Sequence, residues 1–358
     1  MKAFGFLSFG HYGPGRGSQT VTAKDSLLQA IDLAAAAEEI GVNGAYFRVH
    51  HFATQQAAPI PLLSAIAART SRIEVGTGVI DLRYENPLYL AEEAAALDLI
   101  SDGRLALGMS RGSPETAERG YEAFGYTGTN ANGEDPKGAT LAREKFELFL
   151  AAIDGEGVAP VNRSMNSMGS GILGSNSMLR VEPHSPSLRK HVWWGSGTRE
   201  TAEWAGTQGV NLMSSTLLTE DGGVPFHELQ AEQIRRYRQA WQAAGHQGTP
   251  RVSVSRSIFP ITSDLDRLYF GQTDRDQVGV IDGLRSTFGK SYAAEPDRLV
   301  EELLKDTAIA EADTLMLTVP TQLGVEYNAH VLSTFAEQVA PALGWKPNTE
   351  GPVEGYPI

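Results

Sequence analysis

The sequence predicts an α/β protein built as a single closed (β/α)8 barrel, and three observations predict it. Segments patterned as strands alternate with segments patterned as helices along most of the chain, about eight of each, which implies parallel strands joined by helical crossovers. Residues 68–112, ARTSRIEVGTGVIDLRYENPLYLAEEAAALDLISDGRLALGMSRG, hold one strand, one well-punctuated helix and a second strand, a complete βαβ unit. Polar and glycine-bearing stretches follow several strand patterns, where a barrel gathers its catalytic loops.

Composition narrows the function before any motif does. With 358 residues and 41% apolar content the chain can bury a large core, and no apolar run is long enough to span a bilayer, so a soluble protein is expected. Lys and Arg number 30 against 43 Asp and Glu, a net charge of -13, which disfavours a nucleic-acid partner. Cysteine is absent, which removes disulfides, thiolate metal sites and thiol nucleophiles. The first ten residues read as a strand and not as a signal peptide, so a cytoplasmic location is expected.

In order, Lys2–Ser8 reads as strand one and leads into HYGPGRGSQT, whose His11, Tyr12 and Arg16 are candidates for the pocket rim. A helix with Leu27, Ile31, Ala34 and Ala35 on its apolar face ends at Gly41. Asn43–Val49 is strand two and Pro59–Thr70 a short helix; Arg72–Val79 is strand three. Asn86-Pro87 caps and opens a helix with Leu90, Ala94, Leu97 and Ile100 on one face, stopped by Gly103. Strand four, Arg104–Met109, ends in Ser110-Arg111-Gly112, and the helix Ala139–Ile153 turns Leu141, Phe146, Phe149 and Leu150 inward. His191–Gly195, Val210–Ser214, Arg251–Phe259 and Thr314–Val319 complete the strands, with helices through Leu229–Trp241, Pro296–Ile309 and Gly324–Leu343. Insertions follow strands four and seven. The barrel domain is expected over 1–345, with a lid insertion at 155–190 and a Pro/Gly-rich tail at 346–358. Residues 162–178, rich in Ser, Asn and Gly, have little apolar surface to bury and suit a segment that covers the barrel mouth. Within the insertion, residues 169–174 match GxGxxG, but no strand precedes them and no helix clearly follows, so a dinucleotide site is rejected.

Four stretches carry chemistry. Adjacent residues on an extended segment point to opposite sides, so only one of His50 and His51 can face the barrel mouth, which argues against both holding one metal. Gly76 and Gly78 in strand three indicate close approach by backbone or ligand. Arg111, beside a glycine at a strand end, suits a phosphate or an electron-rich ring edge. Ser196-Gly197-Thr198 opens a helix and offers amides and hydroxyls to an anion; Arg256 is a further candidate for the pocket.

GTGV, ENPLYLAEEAAALDLISDGRLALGMSRG and the upstream VHHF resemble the bacterial luciferase-like family of flavin-dependent monooxygenases, whose members are (β/α)8 barrels. The resemblance is dense over roughly residues 43–125 and thinner around 193–211. It implies that His50, matching the first histidine of the family's EHHF motif, is catalytic, and that Val49 stands where the family has glutamate. It implies that Gly78 and Val79 form a cis bond beneath the flavin ring, that Ser110 and Arg111 contact flavin, and that Arg143, with the turn Gly195, Ser196, Gly197 and Thr198, holds its phosphate. The implied activity uses reduced FMN, supplied by a separate flavin reductase, and dioxygen to oxygenate a small organic substrate through a flavin hydroperoxide. No protein metal site is expected, and a homodimer is. A deazaflavin-dependent oxidoreductase on the same barrel and a non-catalytic flavin-binding protein are the alternatives.

Overall fold

The computed structural model describes residues 1–15, 17–112, 115–127, 137–162, 177–220, 223–270, 277–281 and 284–357. Strands β1 (Ala3–Ser8), β2 (Gly44–Phe47), β3 (Glu74–Thr77), β4 (Leu105–Ser110), β5 (Val192–Ser196), β6 (Asn211–Ser214), β7 (Val252–Pro260) and β8 (Thr314–Val319) each pair in parallel with the next. Pairing of β8 with β1 closes the ring as the (β/α)8 barrel. Around it pack α1 (Ala23–Ile40), α2 (Pro59–Arg69), α3 (Pro87–Ile100), α4 (Ala139–Ile153), α5 (Arg199–Thr207), α6 (Phe226–Ala243), α7 (Asp264–Tyr269), α8 (Pro296–Leu303), α9 (Thr307–Glu311) and α10 (Gly324–Gln338). The remaining short strands are given by residue range. None of the described helices is long and apolar enough to cross a membrane.

The βαβ unit forms as its punctuation dictates. The Asn86 side chain accepts from the amides of Leu88 and Tyr89, Pro87 occupies the first turn, and Gly103, at φ +74°, reverses the chain into β4. Strand alternation then builds two cores: Phe6 and Phe47 face the helices, while Leu7, Tyr46, Ala106, Trp193, Met213 and Met316 fill the barrel interior. At the amino end of the strands, Arg251 donates to both oxygens of Glu74 at 2.5 and 3.1 Å. The Tyr46 hydroxyl donates to the same carboxylate at 2.5 Å, and the Arg251 guanidinium lies 4.7 Å from the centre of the Trp193 ring. Gly44 makes room for this plug, since a Cβ there would sit 2.3 Å from the Tyr46 hydroxyl. The Pro/Gly-rich segment after α10 is tied to the chain's amino-terminal region: Trp345 Nε1 donates to Asn43 Oδ1 at 2.7 Å and Lys2 Nζ to Gly355 O at 2.7 Å.

Several expectations are corrected. The buried face of α1 is Ser26, Ala30, Leu33, Ala34 and Ala37, while Leu27 is exposed, because alanines let the helix approach the strands more closely than the leucines would. Ile100 is exposed at the end of α3, and Leu141 is only part-buried on α4. The helix expected over 296–309 is two helices, because Asp306 caps α9 by accepting from the Ile309 amide at 3.1 Å. The last helix stops at Gln338, and Pro341 lies in a 3-10 turn over Ala340–Leu343. After β7, Gln277–Ile281 and Leu284–Phe288 form an antiparallel pair that Leu217–Leu218 extends. Residues 163–176 of the expected lid lie outside the described residues; at its base Ala159–Pro160 pairs antiparallel with Met178–Leu179.

Candidate functional site

A cavity of about 420 Å³ lies at the carboxyl ends of the strands, within the range of small-molecule sites. Its floor is the upper layer of the barrel interior, Leu7, Met213 and Met316. The site residues that the family resemblance implies line it: His50, Gly78, Val79, Ser110, Arg111, Arg143, Gly195, Ser196, Gly197 and Thr198. His11 and Tyr12 do not, and Arg16 lies outside the described residues; Phe9 takes that side, with the His11 ring stacked on it. Arg256 is corrected too. It points outward from β7 into the helical layer, where Nε donates to Asp306 Oδ2 at 2.8 Å and Nη2 to Oδ1 at 3.0 Å, while its neighbour Ser255 lines the cavity.

The two histidines part as strand geometry requires. His50 lines the cavity with Val49, whereas His51 is buried outside that lining, its ring stacked 4.0 Å from Tyr84, and burial lowers its pKa. Val49 is 5% exposed and presents an apolar side chain. The peptide bond between Gly78 and Val79 is cis, and Gly195 faces it: a Cβ at Gly195 would lie 3.0 Å from Val79 Cγ1 and fill the gap between them.

The polar end of the cavity is built by α5 and α4. Thr198 is the N-cap, its hydroxyl accepting from the Thr201 amide at 3.1 Å and donating to Thr201 Oγ1 at 2.9 Å, which leaves the Thr201 hydroxyl proton directed elsewhere. The Ser196 hydroxyl donates to Thr198 O at 2.8 Å. One helix amide is already used, since Arg199 N donates to Glu220 Oε2 at 3.0 Å, so the Thr201 hydroxyl and the guanidinium groups of Arg111 and Arg143 must supply much of any anion binding here. The Arg143 guanidinium is positioned over Trp204, 5.1 Å from the ring centre. This donor set, the narrow gap between Val79 and Gly195, and the apolar floor together fit a flat ring system carrying a phosphate.

Sequence reasoning missed Arg48, Asp81, Glu115, Thr201 and Thr219, all of which line the cavity. Arg83 joins the two carboxylates: Nη2 donates to Asp81 Oδ2 at 2.6 Å and to Glu115 Oε1 at 3.0 Å. Tyr84 donates its hydroxyl to the other oxygen of Glu115. Burial, with Asp81 hydrogen-bonded beside it, pushes the Glu115 carboxyl up to about 8. The available sequence signal was their position just past β3 and β4.

The profile of the luciferase-like monooxygenase family matches residues 2–266. Over 100 residues, 27% of this chain and 28% of the other, the chain is 34% identical to the oxygenase component of flavin-dependent trigonelline monooxygenase from Acinetobacter baylyi. It aligns with between 28% and 66% of the length of the curated relatives it matches first. Among solved structures, the fold is similar to the oxygenating constituent of 3,6-diketocamphane monooxygenase from Pseudomonas putida, crystallised with FMN, at TM-score 0.65 and 15% identity over 95% of this chain and 99% of that one. It is also similar to coenzyme F420-dependent tetrahydromethanopterin reductase from Methanopyrus kandleri, at TM-score 0.58 and 16% identity over 88% and 96%. With the family profile spanning most of a closed barrel and the cavity at its carboxyl-terminal mouth, the chain belongs to the luciferase-like monooxygenase family.

Proposed function

We propose that this protein is a flavin-dependent monooxygenase that binds reduced FMN, receives it from a separate reductase, and oxygenates a small organic substrate. The observation that carries the reading is one cavity in which His50, the gap between Val79 and Gly195, the guanidinium groups of Arg111 and Arg143 and the turn at Ser196 and Thr198 meet in a family of monooxygenases. Reduced FMN, when bound, supplies the two electrons by which one oxygen atom of dioxygen enters the substrate and the other leaves as water. Arg111, Arg143 and the Thr201 hydroxyl bind the phosphate at the turn that Ser196 and Thr198 shape, Val79 and Gly195 hold the ring, and His50 exchanges a proton with the ligand at the mouth. Leu7, Val49, Met213 and Met316 keep water from the reacting end. That the trigonelline relative is the oxygenase component of its system supports a partner reductase. The homodimer that the family resemblance implies is part of the same proposal. The F420-dependent neighbour in fold supports a second reading, deazaflavin-dependent hydride transfer.

The test is selective loss. Changing Ser196 and Thr198 to leucine is expected to weaken FMN binding far more than riboflavin binding, because only FMN carries the phosphate. Equal losses for both ligands, read by quenching of flavin fluorescence, would remove the phosphate from this end of the cavity.

A further inference from the structure

The Asp81–Glu115 pair is not used by the reading above. Two carboxylates from different segments, one after β3 and one after β4, share a single guanidinium, and their side chains are only 5% and 7% exposed. Gly112, at φ +88°, permits the approach, since a Cβ there would lie 2.0 Å from Asp81 Oδ2. Both carboxyl groups sit on that one Nη2, so a proton on Glu115 relieves the repulsion between them, and burial with Asp81 beside it favours that proton. With that proton the charges of Asp81, Glu115 and Arg83 sum to zero; without it the wall carries one uncompensated negative charge.

We propose that Glu115, held beside Asp81 on the Arg83 guanidinium, is a titratable wall of the cavity, which admits an anionic, phosphate-bearing ligand while Glu115 is protonated and disfavours it once that proton leaves. The inference rests on the flavin reading and adds a determinant of ligand charge to it.

The surrounding groups set the direction. Tyr84 donates to Glu115, and its ring is stacked on His51; the Tyr121 ring lies 4.9 Å below the Arg83 guanidinium. From α4, Lys145 Nζ donates to Arg83 O at 2.6 Å, with Glu85 beyond it. Arg111, Arg143 and His50 line the same cavity. For Glu115, Arg83 and the Tyr84 hydroxyl favour ionisation while burial and Asp81 oppose it, burial being the largest influence. By linkage, a ligand that is disfavoured by the deprotonated wall must draw a proton in when it binds.

The experiment is calorimetric titration of the full chain with FMN and with riboflavin between about pH 7 and 9, around the Glu115 value of about 8, in buffers of different ionisation enthalpy. FMN is a near-complete dianion there, its second phosphate pKa being about 6. The expected result is proton uptake on FMN binding, less on riboflavin binding, and an FMN affinity that falls about three- to tenfold across the range, the size of one partly screened charge at cavity distance. In Glu115→Gln the uptake and most of the fall should vanish while FMN still binds at the lower pH. Asp81→Asn, which leaves Glu115 buried beside Arg83 without its carboxylate neighbour, should move the uptake to lower pH and shrink it near pH 8, and serves if the first variant does not fold. Uptake in either folded variant equal to that of the original protein would overturn the inference alone. Failure of FMN to bind at any pH would overturn the flavin reading, and this inference with it.

Discussion

His50→Ala is expected to lower turnover by about 10²–10⁴-fold, the usual contribution of one positioned acid-base group, while melting temperature and FMN affinity change little. The expectation follows from placement. His50 lines the cavity, and its backbone amide donates to Gln56 O at 2.9 Å, so the local chain path does not depend on the imidazole. His51 supplies the control. It is stacked on Tyr84 and edge-on to Phe124 outside the cavity lining, so His51→Ala should cost stability first and turnover only through it. Single-turnover rates alongside thermal melts would separate the two variants; a melted His50→Ala protein, or one with unchanged turnover, would return His50 to a structural role.

The largest effect on stability is expected at the barrel's amino end. Glu74→Ala leaves Arg251, 12% exposed in its side chain, without the carboxylate that accepts two of its hydrogen bonds, and deprives the buried Tyr46 hydroxyl of its acceptor. Breaking one partner out of a buried ion pair costs about 3–5 kcal/mol. Replacing both residues, Glu74→Leu with Arg251→Met, should recover part of that loss, because Arg251 is then not left without its carboxylate; the remainder is the buried Asp313, 3.8 Å from Arg251 Nε, which loses that cation. Denaturant melts of the single and double variants give the answer: a single variant within about 1 kcal/mol of the original would mean that the plug contributes little.

The βαβ unit was legible because its signals are local: Asn86, Pro87 and Gly103 act within one or two turns of the helix they bound. The site residues at strand ends were legible for a related reason, since in a parallel barrel a strand end is also a position on the catalytic face. What failed were readings that needed parity or partners. Along β7, strand patterning does not say whether Ser255 or Arg256 faces the axis when both faces are buried, and the buried acceptor Asp306 lies 50 residues away. The α1 face was misjudged because large leucines draw attention that alanines do not. Asp81 and Glu115 form no spaced motif; only the pairing of strands beside β3 and β4 brings them to one wall.

The central claim, that this cavity holds FMN for reaction with dioxygen, is tested most directly by titrating the purified protein with FMN and with a deazaflavin, then reducing the bound ligand and following oxygen. The account predicts tight FMN binding, with oxygen consumed after reduction faster than by free reduced FMN at the same concentration once a substrate is present. Preferential binding of the deazaflavin, with oxygen uptake no different from that of free flavin, would contradict it and leave hydride transfer as the function of this barrel.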